Sequence, residues 1–187
     1  MIRLVDLSQK KILKNRSGDC FCLDATAGNG WDTLFLAKLS GASGLVYSFD
    51  LQHDALKKTK KLLVQNSLEK KVELIRSCHS NFDLHVPLEM KRKIQAITFN
   101  LGYLPGSDKK VVTQKNTTLS AIEKAYDWLK ESGIISVISY VGQPGGLEES
   151  KGVSNLVDRK NWRAERFIGN TTAHSPTLYL IRKVNKV

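Results

Sequence analysis

The sequence predicts an α/β fold: a mostly parallel sheet with helices on both faces and an antiparallel strand pair at its C-terminal edge. Three observations carry that expectation. Short apolar runs of strand length alternate with stretches of helical period, and parallel strands need such crossover connections. The chain has 187 residues, the size of one domain that folds without disulfides or metals. Its last two apolar runs have no helix between them, which calls for antiparallel pairing.

The elements follow in order. Cys20-Phe21-Cys22-Leu23-Asp24 is a strand ending in an acid, and Ala25-Thr26-Ala27-Gly28-Asn29-Gly30 is a turn. From Thr33, the apolar residues Leu34, Phe35, Ala37 and Leu39 make a helix that Gly41 stops. Leu45 to Asp50 is a second strand ending in an acid. Asp54 stands where a cap belongs for a helix reaching Asn66, with Ala55, Leu56, Leu63 and Leu68 on one side. The Lys57-Lys58-Thr59-Lys60-Lys61 run within it reads as a solvated face. Val72 to Ile75 is a third strand and Ile94 to Phe99 a fourth, with Pro87 and Lys91-Arg92-Lys93 marking the loop between them. Leu119, Ile122, Tyr126 and Leu129 predict a helix from Thr117 to Glu131, with Gly133 behind it. Ile134 to Val141 is a fifth strand, and Gly142-Gln143-Pro144-Gly145-Gly146 is a loop. A helix from Leu147 to Arg159 follows, then closing strands over Trp162 to Ile168 and Leu178 to Lys183.

Composition narrows the class. Hydrophobic residues make up 41% and charged residues 25%, values of a globular chain rather than a disordered or fibrous one. No apolar run approaches the ~20 residues of a membrane span, and Met1 to Asp6 lacks the apolar core of a signal peptide. The three cysteines lack zinc spacing; they read as reduced thiols in a cytoplasmic protein, with a processed organellar (stromal) protein as the alternative. Lys and Arg number 29 against 18 Asp and Glu, a net charge of +11, an excess common in proteins that touch nucleic acid. Both ends are basic. Arg3, Lys10, Lys11, Lys14 and Arg16 crowd one end, and Arg159, Lys160, Arg163, Arg166, Arg182, Lys183 and Lys186 the other. They form one patch if the ends meet in space.

Ligands of open α/β sheets bind beyond the carboxyl ends of the strands, where strand order reverses. In the first of those loops Gly28 and Gly30 can take positive φ and let backbone approach a ligand. Gly28-Asn29-Gly30-Trp31-Asp32-Thr33 has Thr33 where a dinucleotide fingerprint wants its third glycine. Asp50, about twenty residues on, stands where an acid accepts the hydroxyls of an adenosine ribose. Asp24 favours a cationic ligand over a pyrophosphate. An adenosine with a positively charged, phosphate-free arm describes S-adenosylmethionine. The structural alternatives are a plain turn for the glycines and a helix cap for Asp50. At the fourth strand end, the Asn100 carbonyl can accept from an amine and Tyr103 can stack on a flat substrate.

Leu23-Asp24-Ala25-Thr26-Ala27-Gly28-Asn29-Gly30, with Asp32-Thr33, resembles the first motif of Rossmann-like class I methyltransferases. Combined with Phe99-Asn100-Leu101-Gly102-Tyr103-Leu104-Pro105-Gly106, it is similar to the small bacterial-type family long labelled "putative rRNA methylase". Characterised members of that family methylate the aminomethyl group on the wobble 2-thiouridine of tRNA. The likeness runs on through Asp50-Leu51-Gln52, His79, Thr117-Thr118 and Gly142-Gln143-Pro144-Gly145-Gly146. It implies a single domain with a seven-stranded sheet: a basic N-terminal helix over 1–16, a donor-binding core over 20–141 and a substrate-side region over 142–187. It implies a donor site of Asp24, Thr26, Gly28, Asn29, Gly30 and Asp32, continued by Thr33, Asp50, Gln52, Ser77, His79 and Asn100. Catalysis falls to Asn100 and Tyr103, and Leu101, Gly102, Tyr103, Gln143 and His174 face the acceptor. S-adenosylhomocysteine is the product, the anticodon stem-loop of a tRNA is the partner, and no metal is implied. A homodimer would widen the basic surface for a bent RNA. The chain departs from the family at Gln143, usually His there, and at Thr171-Thr172-Ala173-His174-Ser175-Pro176, where an Asn-rich double-proline run is usual.

The residue types at the fourth strand end favour a nitrogen acceptor. Methylation of a uracil carbon would want a cysteine nucleophile, and Cys78 follows the third strand instead. An Asn followed by an aromatic resembles the motif of amine and amide N-methyltransferases. The competing readings are an rRNA or glutamine N-methyltransferase, a nicotinamide-dependent oxidoreductase and a non-catalytic RNA-binding domain.

Overall fold

The computed structural model describes residues 3–16, 18–104, 111–169 and 175–183. Twelve elements alternate along the chain: α1 (Leu4–Lys14), β1 (Phe21–Asp24), α2 (Trp31–Leu39), β2 (Val46–Asp50), α3 (His53–Gln65), β3 (Val72–Arg76), β4 (Ile94–Asn100), α4 (Lys115–Trp128), β5 (Leu129–Ser139), α5 (Gly146–Arg159), β6 (Arg163–Ile168) and β7 (Thr177–Arg182). The sheet order is β3-β2-β1-β4-β5-β7-β6. The first five strands in that order pair in parallel, and β7 pairs antiparallel with both β5 and β6. This is the expected seven-stranded sheet, and order reverses between β1 and β4.

Strand residues feed two cores in alternation, because successive side chains leave opposite faces of a sheet. Leu23, Tyr47, Ile97, Ile135 and Tyr179 face a layer made with Ile122 and Trp128 of α4 and Val153 and Leu156 of α5. Cys22, Val46, Ala96, Ile134 and Leu180 face the other, with Ile12 of α1, Leu36 of α2 and Leu63 of α3. Burial on both faces is why these strands read as continuous apolar runs.

Two local expectations are corrected. The predicted helix to Glu131 ends at Trp128, and Leu129 is already paired with Ile94 in the sheet. Leu129 keeps helical spacing but is fully buried as a strand residue. The extra residues loop out around Ser132, whose φ is +61°, before Ala96 pairs with Ile134. Asp54 does not cap α3. Gln52 holds the cap position without a side-chain bond, and Asp54 lies in the first turn, where a negative charge suits the helix dipole.

The basic ends meet in part: Arg159 and Lys160 pair instead with Glu123 of α4 and Lys183 bonds Tyr126 O, and Lys186 lies outside the described residues. Lys11 Nζ of α1 donates to Glu165 Oε2 of β6 at 2.5 Å, and Arg182 of β7 reaches both Asn15 Oδ1 at 2.8 Å and Glu165. The buried hydroxyls of Ser8 and Ser136 lie 2.6 Å apart and fix α1 against β5. Lys10, Lys14, Arg16, Arg163 and Arg166 stay exposed around this junction. Among the described residues no helix is long and apolar enough to cross a membrane.

Candidate active site

A cavity of about 620 Å³ opens at the carboxyl ends of the parallel strands, lined from the loops after β1, β2, β3, β4 and β5. It therefore stands at the reversal in strand order, where the sheet leaves a crevice.

The loop after β1 forms its floor. Gly28 and Gly30 take φ of +55° and +88°. A Cβ on Gly30 would sit 2.9 Å from Thr59 Cα, so glycine lets the loop lie against α3. Asp50, ending β2, accepts from the N–H of Gly28 through Oδ2 at 2.9 Å and from the N–H of Gln52 through Oδ1 at 2.8 Å. One carboxylate thus ties the glycine turn to the start of α3. Each oxygen retains a second lone pair for a ligand hydroxyl.

Asp24 lies beneath this floor, fully buried. Its Oδ1 accepts from Thr26 N at 3.1 Å and Thr98 Oγ1 at 3.3 Å, and its Oδ2 from Thr33 Oγ1 at 2.6 Å. Burial first, and the charge of Asp32 second, push its pKa up to about 7. Asp24, Gly30 and Thr33, expected to touch the donor, are absent from the cavity wall. Thr33 fills the space expected of a third glycine by bonding Asp24 and Ser48. Asp24 and Thr33 brace the loop from beneath the cavity.

Thr26, Gly28, Asn29, Asp32, Asp50, Gln52, Ser77, His79 and Asn100 do line the cavity. Thr26 Oγ1 also accepts from the backbone N–H of Asn100 at 2.8 Å, joining the ends of β1 and β4. His79 is buried, packs edge-on against Phe99 with ring centroids 5.9 Å apart, and has Nε2 without a partner. Burial holds its pKa down to about 4, so the imidazole is neutral at pH 7. Lys124 of α4 steadies the turn that follows by donating to Ser80 O at 2.8 Å and Asp83 Oδ1 at 2.7 Å.

At the end of β4, Asn100 Nδ2 lies 3.5 Å from Asp32 Oδ2, and Gln9 Nε2 of α1 donates to Asp32 Oδ1 at 3.0 Å. Burial raises the Asp32 pKa. With Nδ2 turned to Asp32, the Asn100 carbonyl is the half of the amide that faces other chemistry. Leu101, Gly102 and Tyr103 continue the wall. Gly102 N donates to Thr113 Oγ1 at 2.8 Å, Thr113 Oγ1 to Glu149 Oε2 at 2.8 Å, and Thr118 Oγ1 to Glu149 Oε1 at 2.6 Å. A buried acid of α5 thereby anchors the loop after β4. Gln143 lines the cavity beside Gly102, and its Nε2 is buried without a partner. A Cβ on Gly102 would meet Gln143 Oε1 at 2.7 Å. His174 lies outside the described residues.

Sequence reasoning missed several wall residues. Tyr140 directly follows β5, and the strand-end rule that found Asn100 would have found it. Cys78 follows β3 and lines the cavity despite being set aside. Trp31 begins α2 at the rim. Val111, Val112, Thr113 and Gln114 come from a loop whose sequence carries no signal, and they reach the wall through the Tyr103–Val112 bridge and the Glu149 anchor. Among the described residues no group of three His, Cys, Asp or Glu side chains could hold a metal ion.

Comparison with known proteins places the fold in a family. Residues 46–182 match a protein family described as "Putative rRNA methylase". A crystal structure from Clostridium thermocellum, described as a putative rRNA-methylase, is 34% identical over 98% of this chain and 99% of its own, with a TM-score of 0.90. One from Streptococcus mutans, described as a putative methyltransferase in complex with SAH, is 33% identical over 98% of this chain and 99% of its own, with a TM-score of 0.85. The chloroplastic tRNA (mnm(5)s(2)U34)-methyltransferase of Arabidopsis thaliana is 44% identical over 135 residues, 68% of this chain. Those residues are 48% of the plant protein, so the chain spans about half the length of that curated relative.

Proposed function

The chain belongs to the "Putative rRNA methylase" family, and from that premise we propose that it is an S-adenosylmethionine-dependent N-methyltransferase. Its acceptor is the aminomethyl group of the wobble 5-aminomethyl-2-thiouridine of tRNA, which it converts to 5-methylaminomethyl-2-thiouridine. The observation that carries this reading is the cavity itself, which sets the Asp50-clamped glycine turn and Asn100 at adjoining strand ends.

The donor pocket fits the group chemically. Asp50 can accept two ribose hydroxyls while keeping its backbone bonds, and the unpartnered His79 Nε2 is available to the purine edge. The Asp32 carboxyl, which lines the cavity, suits a cationic arm. When bound, S-adenosylmethionine supplies an electrophilic methyl group, and S-adenosylhomocysteine leaves.

The acceptor must arrive as a free amine. An alkylamine has a pKa near 10, so neutrality at pH 7 costs roughly 4 kcal/mol, and desolvation in the cavity lowers that cost. Asn100, held by Asp32, accepts an amine N–H through its carbonyl and leaves the nitrogen lone pair free. A neutral amide does this without the charge by which a carboxylate would hold the amine protonated. Tyr103 stacks on the uracil ring, and Gln143 Nε2 offers a donor to a base acceptor. Burial, aided by the charge of Asp32, raises the Tyr140 pKa and keeps its phenol neutral.

The partner is a tRNA presenting its anticodon stem-loop, in a cytoplasm or, as for the chloroplastic relative, an organellar stroma. The deciding experiment offers labelled donor to undermodified tRNA, ribosomal subunits and protein in parallel. Nucleoside mass spectrometry should find the methylaminomethyl product in tRNA alone. Transfer confined to ribosomal RNA would replace this acceptor with another.

A further inference from the structure

Trp31 is the first residue of α2, and its side chain is 63% exposed although it lines the cavity. The helix buries Thr33, Leu34, Leu36, Ala37 and Leu39 against the sheet, and Trp31 joins neither core layer. The indole lies largely outside the packed layers. Large apolar side chains left in water forgo the free energy of burial, which is recovered only when something covers them. Its position says where the cover comes from. Trp31 directly precedes Asp32, whose carboxylate engages Asn100 and Gln9, and it lines the same cavity as Asn100. Tyr103, 37% exposed, lines the same cavity from the loop after β4.

We propose that Trp31 is a stacking platform for an unpaired base flanking the nucleotide whose amine enters the cavity. An indole face binds any base by stacking and is enriched where single-stranded RNA is splayed open. The net charge of +11 supplies the polyanion attraction that stacking alone lacks. This inference rests on the RNA reading of the site and adds its preference: a loop rather than a duplex, held by a neighbour of the modified base.

The test uses the full chain, its Trp31→Ala and Trp31→Phe variants, an anticodon stem-loop RNA bearing the aminomethyl nucleoside, and a duplex of equal length. Trp31→Ala should raise KM for the stem-loop about 10-fold or more, with kcat and calorimetric donor affinity changing far less. Trp31→Phe, which keeps an aromatic face, should recover most of the loss. The stem-loop should quench the part of the tryptophan emission that Trp31→Phe removes, and the duplex should leave it unchanged. An unaltered KM, a fall in donor affinity in Trp31→Ala or quenching by duplex overturns the proposal. Quenching by stem-loop without methyl transfer upholds the platform and defeats the proposed reaction, whereas transfer without quenching does the reverse.

Discussion

The backbone N–H of Gly28 donates to Asp50 Oδ2 at 2.9 Å. A carboxylate at the tip of β2 therefore sets the shape of the glycine turn after β1. The carboxylate that shapes the turn also lines the cavity.

Asp50→Ala should consequently cost more than a ribose contact. Removing a charged acceptor and releasing the turn should weaken donor binding about 10- to 100-fold, at roughly 1.5–3 kcal/mol for hydrogen bonds to a charged group. Calorimetry with S-adenosylhomocysteine checks this, and kcat at saturating donor should fall by a much smaller factor.

Asn100→Ala should show the opposite division. On the proposed reaction the side chain meets the acceptor amine, so kcat should drop about 100-fold or more, the scale for loss of one preorganised polar group, while donor affinity stays within a few fold. Equal losses in both would reduce Asn100 to a residue that shapes the wall.

Asp24 gives a pH signature. Burial raises its folded-state pKa to about 7 from 3.8, so the native state holds a proton that the unfolded chain releases. Its contribution to stability is present below the unfolded pKa and lost as pH rises from about 4 through 7, at about 1.4 kcal/mol for each pH unit of that interval. Urea unfolding at pH 5 and pH 8 should show wild type losing stability relative to Asp24→Asn between those two conditions. A constant difference between the two proteins would mean that Asp24 is ionised throughout.

RNA affinity should fall steeply with salt, because phosphate contacts release counterions. Lys10→Glu with Lys14→Glu, on the exposed side of α1, should weaken tRNA binding and flatten the salt slope by about 1–2 while donor binding is unchanged. Filter binding at several salt concentrations reads both.

Strands were legible because burial on two faces writes continuous apolar runs, as in Ile134 to Ile138 of β5, although that strand ends at Ser139 rather than at the expected Val141. Loops after them were legible by position, and Asn100, Asp50 and Gly28 were found that way. Other features are invisible to local pattern. Leu129 keeps helical spacing from Ile122 and Tyr126 yet pairs with Ile94 in the sheet. Glu149 reads as an ordinary acid in a first helical turn, but Thr113 and Thr118 converge on it from other elements. Thr33 sits inside a ligand motif, but its hydroxyl bonds Asp24 and Ser48 in the interior.

The placement of β7 between β5 and β6 also orders events on the ribosome. The five parallel strands are complete in sequence by Ser139, whereas β6, made earlier than β7, finds its sheet partner only when residues 177–182 emerge. Helix α1, which precedes every strand in sequence, packs on β5 and β7 and so completes its packing only with the same late arrival. A nascent chain stalled after β6 would expose an unpaired edge together with part of the apolar side of α1, surfaces prone to association before the sheet closes.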